Sequence, residues 1–129
     1  MNTYQVGSGA ANILLAADIN TVGLAATRAI VLVVTGTDAG TPVAHSVDAT
    51  GDISEQSIGQ PAKLKGQRLS IFTKIDLLGT DAPTRQLEAQ NIGATYTLSG
   101  GDSGNQTYNN PTKTYMDPSV FLNFLVDLQ

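Results

Sequence analysis

The sequence predicts an all-β fold: an antiparallel β-sandwich of about seven or eight strands, with room for one short helix. Three features of the chain support this prediction. Apolar and polar residues alternate in several short segments, β-branched residues are concentrated in them, and turn-forming residues separate them at intervals of about ten residues. A chain of 129 residues has the usual size of one domain, so residues 1–129 are expected to form a single β-sandwich domain.

The first half of the chain contains one strongly apolar segment. Residues 27–35 are apolar on both faces and rich in β-branched side chains, which predicts a central strand covered on both sides. Before it, residues 10–27 fit either two strands joined by a loop or a small helical turn. After it, residues 36–42 predict a turn, and the weaker alternation in residues 43–57 predicts an edge strand.

The clearest strand pattern covers residues 68–78. It follows a crossover loop predicted at 58–66, and a turn predicted at 79–84 ends it. Segment 91–98 alternates in the same way, so it is predicted to be the antiparallel partner of 68–78. The face of 68–78 predicted to be buried contains Leu69, Ile71, Thr73, Ile75 and Leu77, and the polar face contains Arg68, Ser70, Phe72, Lys74 and Asp76.

The C-terminal segment 118–128 allows two interpretations. Asp117 and Pro118 form a good N-cap and first-turn pair for a helix. A strand is favoured, because one face is apolar throughout whereas the polar Asn123, Asp127 and Gln129 all fall on the other. The apolar face of that strand consists of Val120, Leu122, Phe124, Val126 and Leu128.

Charge and composition exclude several classes of function. The net charge is −4 and the only cluster of cations is Lys63, Lys65 and Arg68, so no nucleic-acid partner is expected. The chain has no cysteine, which excludes disulfides and thiolate metal sites. No apolar run approaches the roughly 20 residues of a transmembrane helix. With no classical signal peptide either, we expect a cytoplasmic protein or one exported by a non-classical route.

The low content of charged residues favours an interaction function over catalysis. Only 14% of residues are charged, against about 25% in a typical soluble domain, so Thr, Ser, Asn and Gly must cover much of the surface. No catalytic group of residues is marked out, and no cofactor is expected. We therefore predict a non-catalytic structural or protein-interaction module, a component of a larger assembly, that binds a protein partner or itself. An enzyme would have to use His45 with Asp48, Asp52 and Glu55.

The alternative prediction is a β-sandwich that binds carbohydrate, lipid or calcium through its loops 36–42, 79–84 and 99–111. Segment 99–105 has the composition of a flexible loop, and its Asp102, Ser103 and Asn105 offer hard oxygen donors. Tyr108 and Tyr115 lie in a polar stretch and are candidate aromatic platforms for a sugar ring.

Two further candidate sites follow from residue placement. Asp48, Asp52 and Glu55 are three carboxylates within eight residues, so they are candidate metal ligands if loop geometry brings them together. Phe72 falls on the polar face of the clearest strand, where it needs either a covering layer or a partner. A covering layer is the favoured prediction, and a partner would make Phe72 part of an interaction surface.

Overall fold

A computed structural model describes residues 2–33 and 40–129 of the chain. In chain order, the described strands are β1 (Asn2–Tyr4), β2 (Ile13–Asn20), β3 (Leu24–Val33), β4 (Thr41–His45), β5 (Ile53–Gly59), β6 (Gln67–Asp76), β7 (Gly93–Ser99), β8 (Gln106–Tyr108), β9 (Thr112–Met116) and β10 (Ser119–Leu128). The described helices are α1 (Pro61–Leu64), between β5 and β6, and α2 (Ala82–Gln90), between β6 and β7.

These strands form two sheets packed face to face. A six-stranded sheet has the order β1-β10-β6-β3-β4, with β9 also paired to β10, and a four-stranded sheet has the order β5-β2-β7-β8. Neighbouring strands are antiparallel, except that β1 runs parallel to β10. The predicted all-β sandwich is confirmed. It has more strands than expected because short segments such as β1, β8 and β9 add to the sheet edges.

Side chains from both sheets meet in one core cluster among the described residues. At its centre, the rings of Tyr96 from β7 and Phe124 from β10 stack across the two sheets, 4.5 Å apart. The ring of Tyr108 packs on the same Phe124 at 5.3 Å. Burying a large apolar side chain stabilises a fold by roughly 1.5–3 kcal/mol, so this stack helps to fix one sheet against the other.

The faces predicted for the clearest strand are confirmed, but its predicted partner is wrong. Leu69, Ile71, Thr73 and Ile75 of β6 are all buried. However, β6 pairs with β3 and β10, whereas segment 91–98 forms β7 of the other sheet and pairs with β2 and β8. The two segments face each other across the core instead of lying side by side. Both arrangements bury the same apolar faces, so alternation alone does not distinguish them.

The two ambiguous segments prove to be strands. The C-terminal segment forms β10, and Val120, Leu122, Phe124, Val126 and Leu128 are buried as the strand prediction required. Near the N-terminus the chain forms β2 and the start of β3, which is the strand, loop and strand alternative. The expectation that segment 27–35 is covered on both sides is wrong for the described part, since Arg28 on the outer face of β3 is exposed.

One predicted strand and two predicted connections are corrected by the structure. Segment 43–57 is not one edge strand, because it contributes to β4 and β5, which are edges of different sheets joined by a loop over 46–52. The predicted loop 58–66 contains helix α1, and the predicted turn 79–84 contains the start of helix α2. Most of the turn predicted at 36–42 lies outside the described residues, although Thr41 and Pro42 belong to β4.

The sandwich has two distinct ends. The α2 end comprises helix α2, the β2–β3 turn at 21–23, the loop 46–52 and the β9–β10 turn at 117–118. The α1 end comprises helix α1, the loops 5–12 and 100–105, and the close of β10 at Leu128. β2 and β7 both span the distance between these ends, so loops before and after either strand lie far apart.

Candidate functional site

The predicted ligand loop around Ser103 is tied to the N-terminal segment. The Gln5 amide donates to Ser103 Oγ at 2.9 Å, and the Ser103 amide donates to the Gln5 carbonyl at 3.1 Å. The Tyr4 hydroxyl accepts from the Gly101 amide at 3.0 Å and donates to the Gly104 carbonyl at 2.7 Å. The loop therefore closes over β1, and the oxygen of Ser103 already has a donor.

Asp102 and Asn105 flank that loop in different surroundings. The Asp102 carboxylate lies directly against Gly7, whose backbone has φ +75° and leaves no room for a Cβ atom. Asn105 is exposed. The contact between Asp102 and Gly7 fixes the loop 5–12 against the loop 100–105, which is a structural role at the α1 end.

The two candidate tyrosines lie at different places. Tyr108 is half-buried, and its hydroxyl donates to the Thr3 carbonyl at 2.8 Å while its ring packs in the core. Burial raises its pKa. Tyr115 lies at the α2 end, where its hydroxyl donates to Asp117 Oδ1 at 3.1 Å. The five predicted ligand-binding residues are thus divided between the two ends and the core, and the structure does not bring them together.

The three predicted metal ligands are brought together only in part. Asp48 accepts from the amide of Thr50 at 3.0 Å and from its hydroxyl, and these bonds hold the pKa of Asp48 below its usual value. Asp52 accepts from the Ile19 amide at 2.8 Å. Both line one cavity of about 500 Å³, whereas Glu55 is exposed on β5 and is not part of that cavity. Within residues 2–33 and 40–129, no three His, Cys, Asp or Glu side chains are grouped to hold a metal ion.

Phe72 lies on the outer face of the six-stranded sheet. Its ring stacks on Phe121 of β10, with 5.7 Å between centroids, and 37% of the residue is exposed. Arg28 and Lys74 border a shallow cavity of about 190 Å³ beside it. Because these neighbours are exposed, the favoured prediction of a covering layer is wrong: Phe72 is covered only partly, by Phe121.

Helix α2 is a feature that the sequence prediction missed. Asp81 caps its N-terminus by accepting from the Thr84 amide at 2.8 Å, and Pro83 lies in the first turn. This hydrogen bond holds the pKa of Asp81 below its usual value. The residue pattern of an N-cap followed by proline could have indicated a helix. Only Ala89 of the helix is buried, however, so the apolar periodicity that normally predicts a helix is missing.

Polar contacts with two other segments of the chain fix α2 to the sandwich. Glu88 accepts from the amides of Leu78 and Gly79, at 3.1 and 2.7 Å. Arg85 forms a two-pronged ion pair with Asp117, with 2.6 and 3.0 Å between nitrogen and oxygen atoms. That ion pair raises the pKa of Arg85 and lowers the pKa of Asp117. The helix is therefore held by its polar side chains.

The last turn of α2 is held by a lysine from the neighbouring strand. The Lys113 ammonium donates to the carbonyls of Ala89 and Ile92, at 3.2 and 3.0 Å. A cation at a helix C-terminus satisfies carbonyl groups that have no partner within the helix. Both ends of α2 are thus fixed by polar contacts.

Leu87 of α2 is an exposed apolar side chain with polar neighbours that include Thr84 and Glu88. Leu87 is 60% exposed and Val22, on the β2–β3 turn, is 70% exposed, and both line a cavity of about 510 Å³. Asn20 and Thr21 are shared by this cavity and by the one that contains Asp48 and Asp52. Other large apolar side chains exposed at the same end are Leu24, Val47, Leu78 and Met116.

The chain matches no protein-family model, no curated protein and no solved structure. The geometry of the molecule is therefore the basis of any functional proposal. No helix in the described part of the chain is long and apolar enough to cross a membrane.

Proposed function

We propose that this protein is a non-catalytic protein-interaction module that binds a protein partner with its α2 end. The single observation that supports this most strongly is Leu87. It is the only leucine of a helix fixed on several sides by polar contacts, and it points away from the core beside Val22.

A surface helix of a globular protein normally turns its apolar side chains toward the core. In α2 the arrangement is reversed, since Arg85 and Glu88 contact the sandwich while Leu87 is exposed. Contiguous apolar side chains on a surface commonly mark an interaction site. The polar contacts prepare this site, because a helix that is already ordered loses little entropy on binding.

The exposed fraction of Leu87 gives the scale of the expected interaction. Full burial of a leucine side chain is favourable by roughly 1.5–3 kcal/mol. Because 60% of Leu87 is exposed, covering this exposed part contributes about 1–2 kcal/mol, or roughly fivefold to 20-fold in affinity. Val22 adds a contribution of the same order.

The acidic and hydroxyl side chains that were candidates for catalysis or ligand binding support a structural role. Asp52 and Ser103 accept hydrogen bonds from backbone amides, as does Asp48. These oxygen atoms order the loops that carry them. The loops therefore shape the ends of the sandwich.

Site-specific crosslinking in the cells that produce the protein tests this function. The photoreactive residue p-benzoylphenylalanine is placed at position 87, at position 22, and at the control position 107, which is exposed on β8 at the edge of the four-stranded sheet. We expect a discrete protein adduct from positions 87 and 22 and none from 107. Failure to crosslink at 87 and 22, or the same adducts from 107, would overturn the proposal.

A further inference from the structure

We infer that the outer face of the six-stranded sheet has a binding site for a small aromatic carboxylate, in the shallow cavity beside Phe72. This cavity and the one that contains Leu87 are lined by different residues, so the inference does not rest on the proposed function. The cavity also lies away from residues 34–39. Its lining residue closest to them in sequence is Arg28, five residues before Val33 at the end of β3, or about 16 Å along the strand.

The cavity forms because a small side chain lies among larger ones. Ala26 of β3 is paired with Lys74 of β6, and Arg28 is paired with Phe72. All four side chains are exposed on the outer face, whereas the intervening Thr27 is buried. The methyl group of Ala26 leaves a space of about 190 Å³ that the three longer side chains border.

The ring of Phe72 is the apolar wall of this space. In the sheet, β6 lies between β10 and β3. Phe121 of β10 therefore stacks on Phe72 from one side, and the cavity, whose other walls come mostly from β3, lies on the other side. A cavity of about 150 Å³ is large enough to hold benzene, so one planar ring fits here. That ring would contact Phe72 and gain the attraction of an aromatic pair.

Arg28 supplies a positive charge that no carboxylate of the described chain neutralises. It forms no ion pair within residues 2–33 and 40–129. Its cross-strand neighbours are His45 and Phe72. The other positions around it on the outer face also lack a carboxylate, and they are Ala26, Ile30, Ser70 and Lys74. An anionic ligand can therefore pair with Arg28 without displacing a carboxylate of these residues.

Lys74 adds a second cation, and its existing ion pair is weak. Its ammonium nitrogen lies 3.8 Å from Asp76 Oδ1 on the same strand, and both side chains are more than half exposed. Exposed pairs of this kind contribute little to stability, so Lys74 can turn toward an anion in the cavity. Arg28 and Lys74 lie on neighbouring strands, which places positive charge on two sides of a bound carboxylate.

The polar groups of the cavity determine the class of ligand. The two cations only donate hydrogen bonds, and the side chains of Ala26 and Phe72 have no polar atoms. The Thr27 hydroxyl is already hydrogen-bonded to the Thr73 hydroxyl in the core, at 2.8 Å. A sugar hydroxyl donates as well as accepts, whereas a carboxylate only accepts. The cavity therefore fits a flat apolar ring with a carboxylate better than it fits a sugar.

Titration with benzoate, followed through the backbone amide signals in nuclear magnetic resonance spectra of the full chain, tests this inference. Benzamide has the same ring without the charge, and acetate has the charge without the ring. We expect benzoate to shift the signals of residues 26–28 and 72–74 in a saturable way. Both control compounds should bind about tenfold more weakly or worse, because each lacks one of the two contacts. No saturable shift of these signals with benzoate, or equally strong binding of either control compound, would overturn the inference.

Three substitutions test whether the cavity itself binds the ligand. Arg28→Gln should weaken benzoate binding about tenfold to 100-fold, because it removes a charged hydrogen-bond donor. Ala26→Leu fills the cavity and should abolish saturable binding. The control Lys65→Gln removes an exposed positive charge outside this face and should leave the affinity within about twofold of wild type.

Unchanged affinity for Arg28→Gln or Ala26→Leu would overturn the inference. An equal loss with Lys65→Gln would do the same, because binding would then depend on net charge instead of on this cavity. The comparison of benzoate, benzamide and acetate uses the wild-type protein, so it decides the question even if a variant fails to fold.

Discussion

The buried hydroxyl of Tyr96 should make the stability of this fold depend on pH above about pH 10. Tyr96 is fully buried in the core, and in the described part of the chain its hydroxyl has no hydrogen-bond partner. Burial raises the pKa of Tyr96 from 10.0 to about 12, with the neighbouring Thr73 hydroxyl acting in the opposite direction. In the unfolded chain the same group should ionise near its ordinary value.

The sign and size of the effect follow from this difference. Below pH 10 the phenol is neutral in both states, so the folded state is not penalised. Between pH 10 and about pH 12 the unfolded chain loses the proton while the folded chain keeps it, so the free energy of unfolding falls. One pKa unit corresponds to about 1.4 kcal/mol, which gives a total loss of about 2–3 kcal/mol.

Tyr96→Phe removes this pH-dependent loss and also removes a buried hydroxyl without a partner. A buried polar group of this kind costs about 1–3 kcal/mol, so the variant should be at least as stable as wild type at pH 8. Urea unfolding followed by far-ultraviolet circular dichroism at pH 8 and pH 11.5 measures both quantities. The advantage of the variant should grow with pH. An equal difference at the two pH values would refute the assignment of the shifted pKa to Tyr96.

Three further predictions concern packing, backbone and helix anchoring. Phe124→Ala removes the ring that contacts Tyr96 and Tyr108, so it should lower the free energy of unfolding in urea by about 3–5 kcal/mol. Phe121→Ala, on the outer face, should lower it clearly less. Equal losses for the two variants would contradict this packing. Gly7→Ala should lower stability by about 1–3 kcal/mol because of its positive φ and the Asp102 contact. The control Gly9→Ala places its new methyl group in open space and should leave stability unchanged within about 0.5 kcal/mol. If Gly7→Ala is neutral as well, the close contact between Gly7 and Asp102 is contradicted. Arg85→Ala should speed amide exchange in residues 82–92 without affecting β10, whereas unchanged exchange there would show that the ion pair does not anchor α2.

The buried faces of the strands were predictable from the sequence, because successive side chains of a strand point to opposite faces of the sheet whatever its neighbours are. Leu69 and Ile71 in β6, and Val120 and Phe124 in β10, are buried where alternation places them. Strand pairing was not predictable in the same way. The apolar face of β7 satisfies the core equally well beside β6 or across from it, and the choice depends on the helix that connects them.

The candidate site escaped prediction for a related physical reason. Sequence methods recognise a helix by the apolar stripe that it buries, and α2 buries only Ala89. Its anchors are polar pairs between residues distant in sequence, such as Arg85 with Asp117 and Lys113 with the carbonyl of Ala89. Spacing along the chain does not show such pairs. Phe72 was placed correctly on the polar face, but its partial cover by Phe121 depends on strand order.

The central claim is tested most directly by measuring how tightly the partner captured at position 87 binds two variants with neighbouring substitutions. Leu87→Ser and the matched control Gln86→Ser change adjacent exposed positions of α2. The melting temperatures of both variants should stay close to wild type. Leu87→Ser should raise the dissociation constant about fivefold to 20-fold, and Gln86→Ser should leave it unchanged. An unchanged dissociation constant for Leu87→Ser, or an equal loss with Gln86→Ser, would contradict the claim that the apolar surface of the α2 end binds the partner.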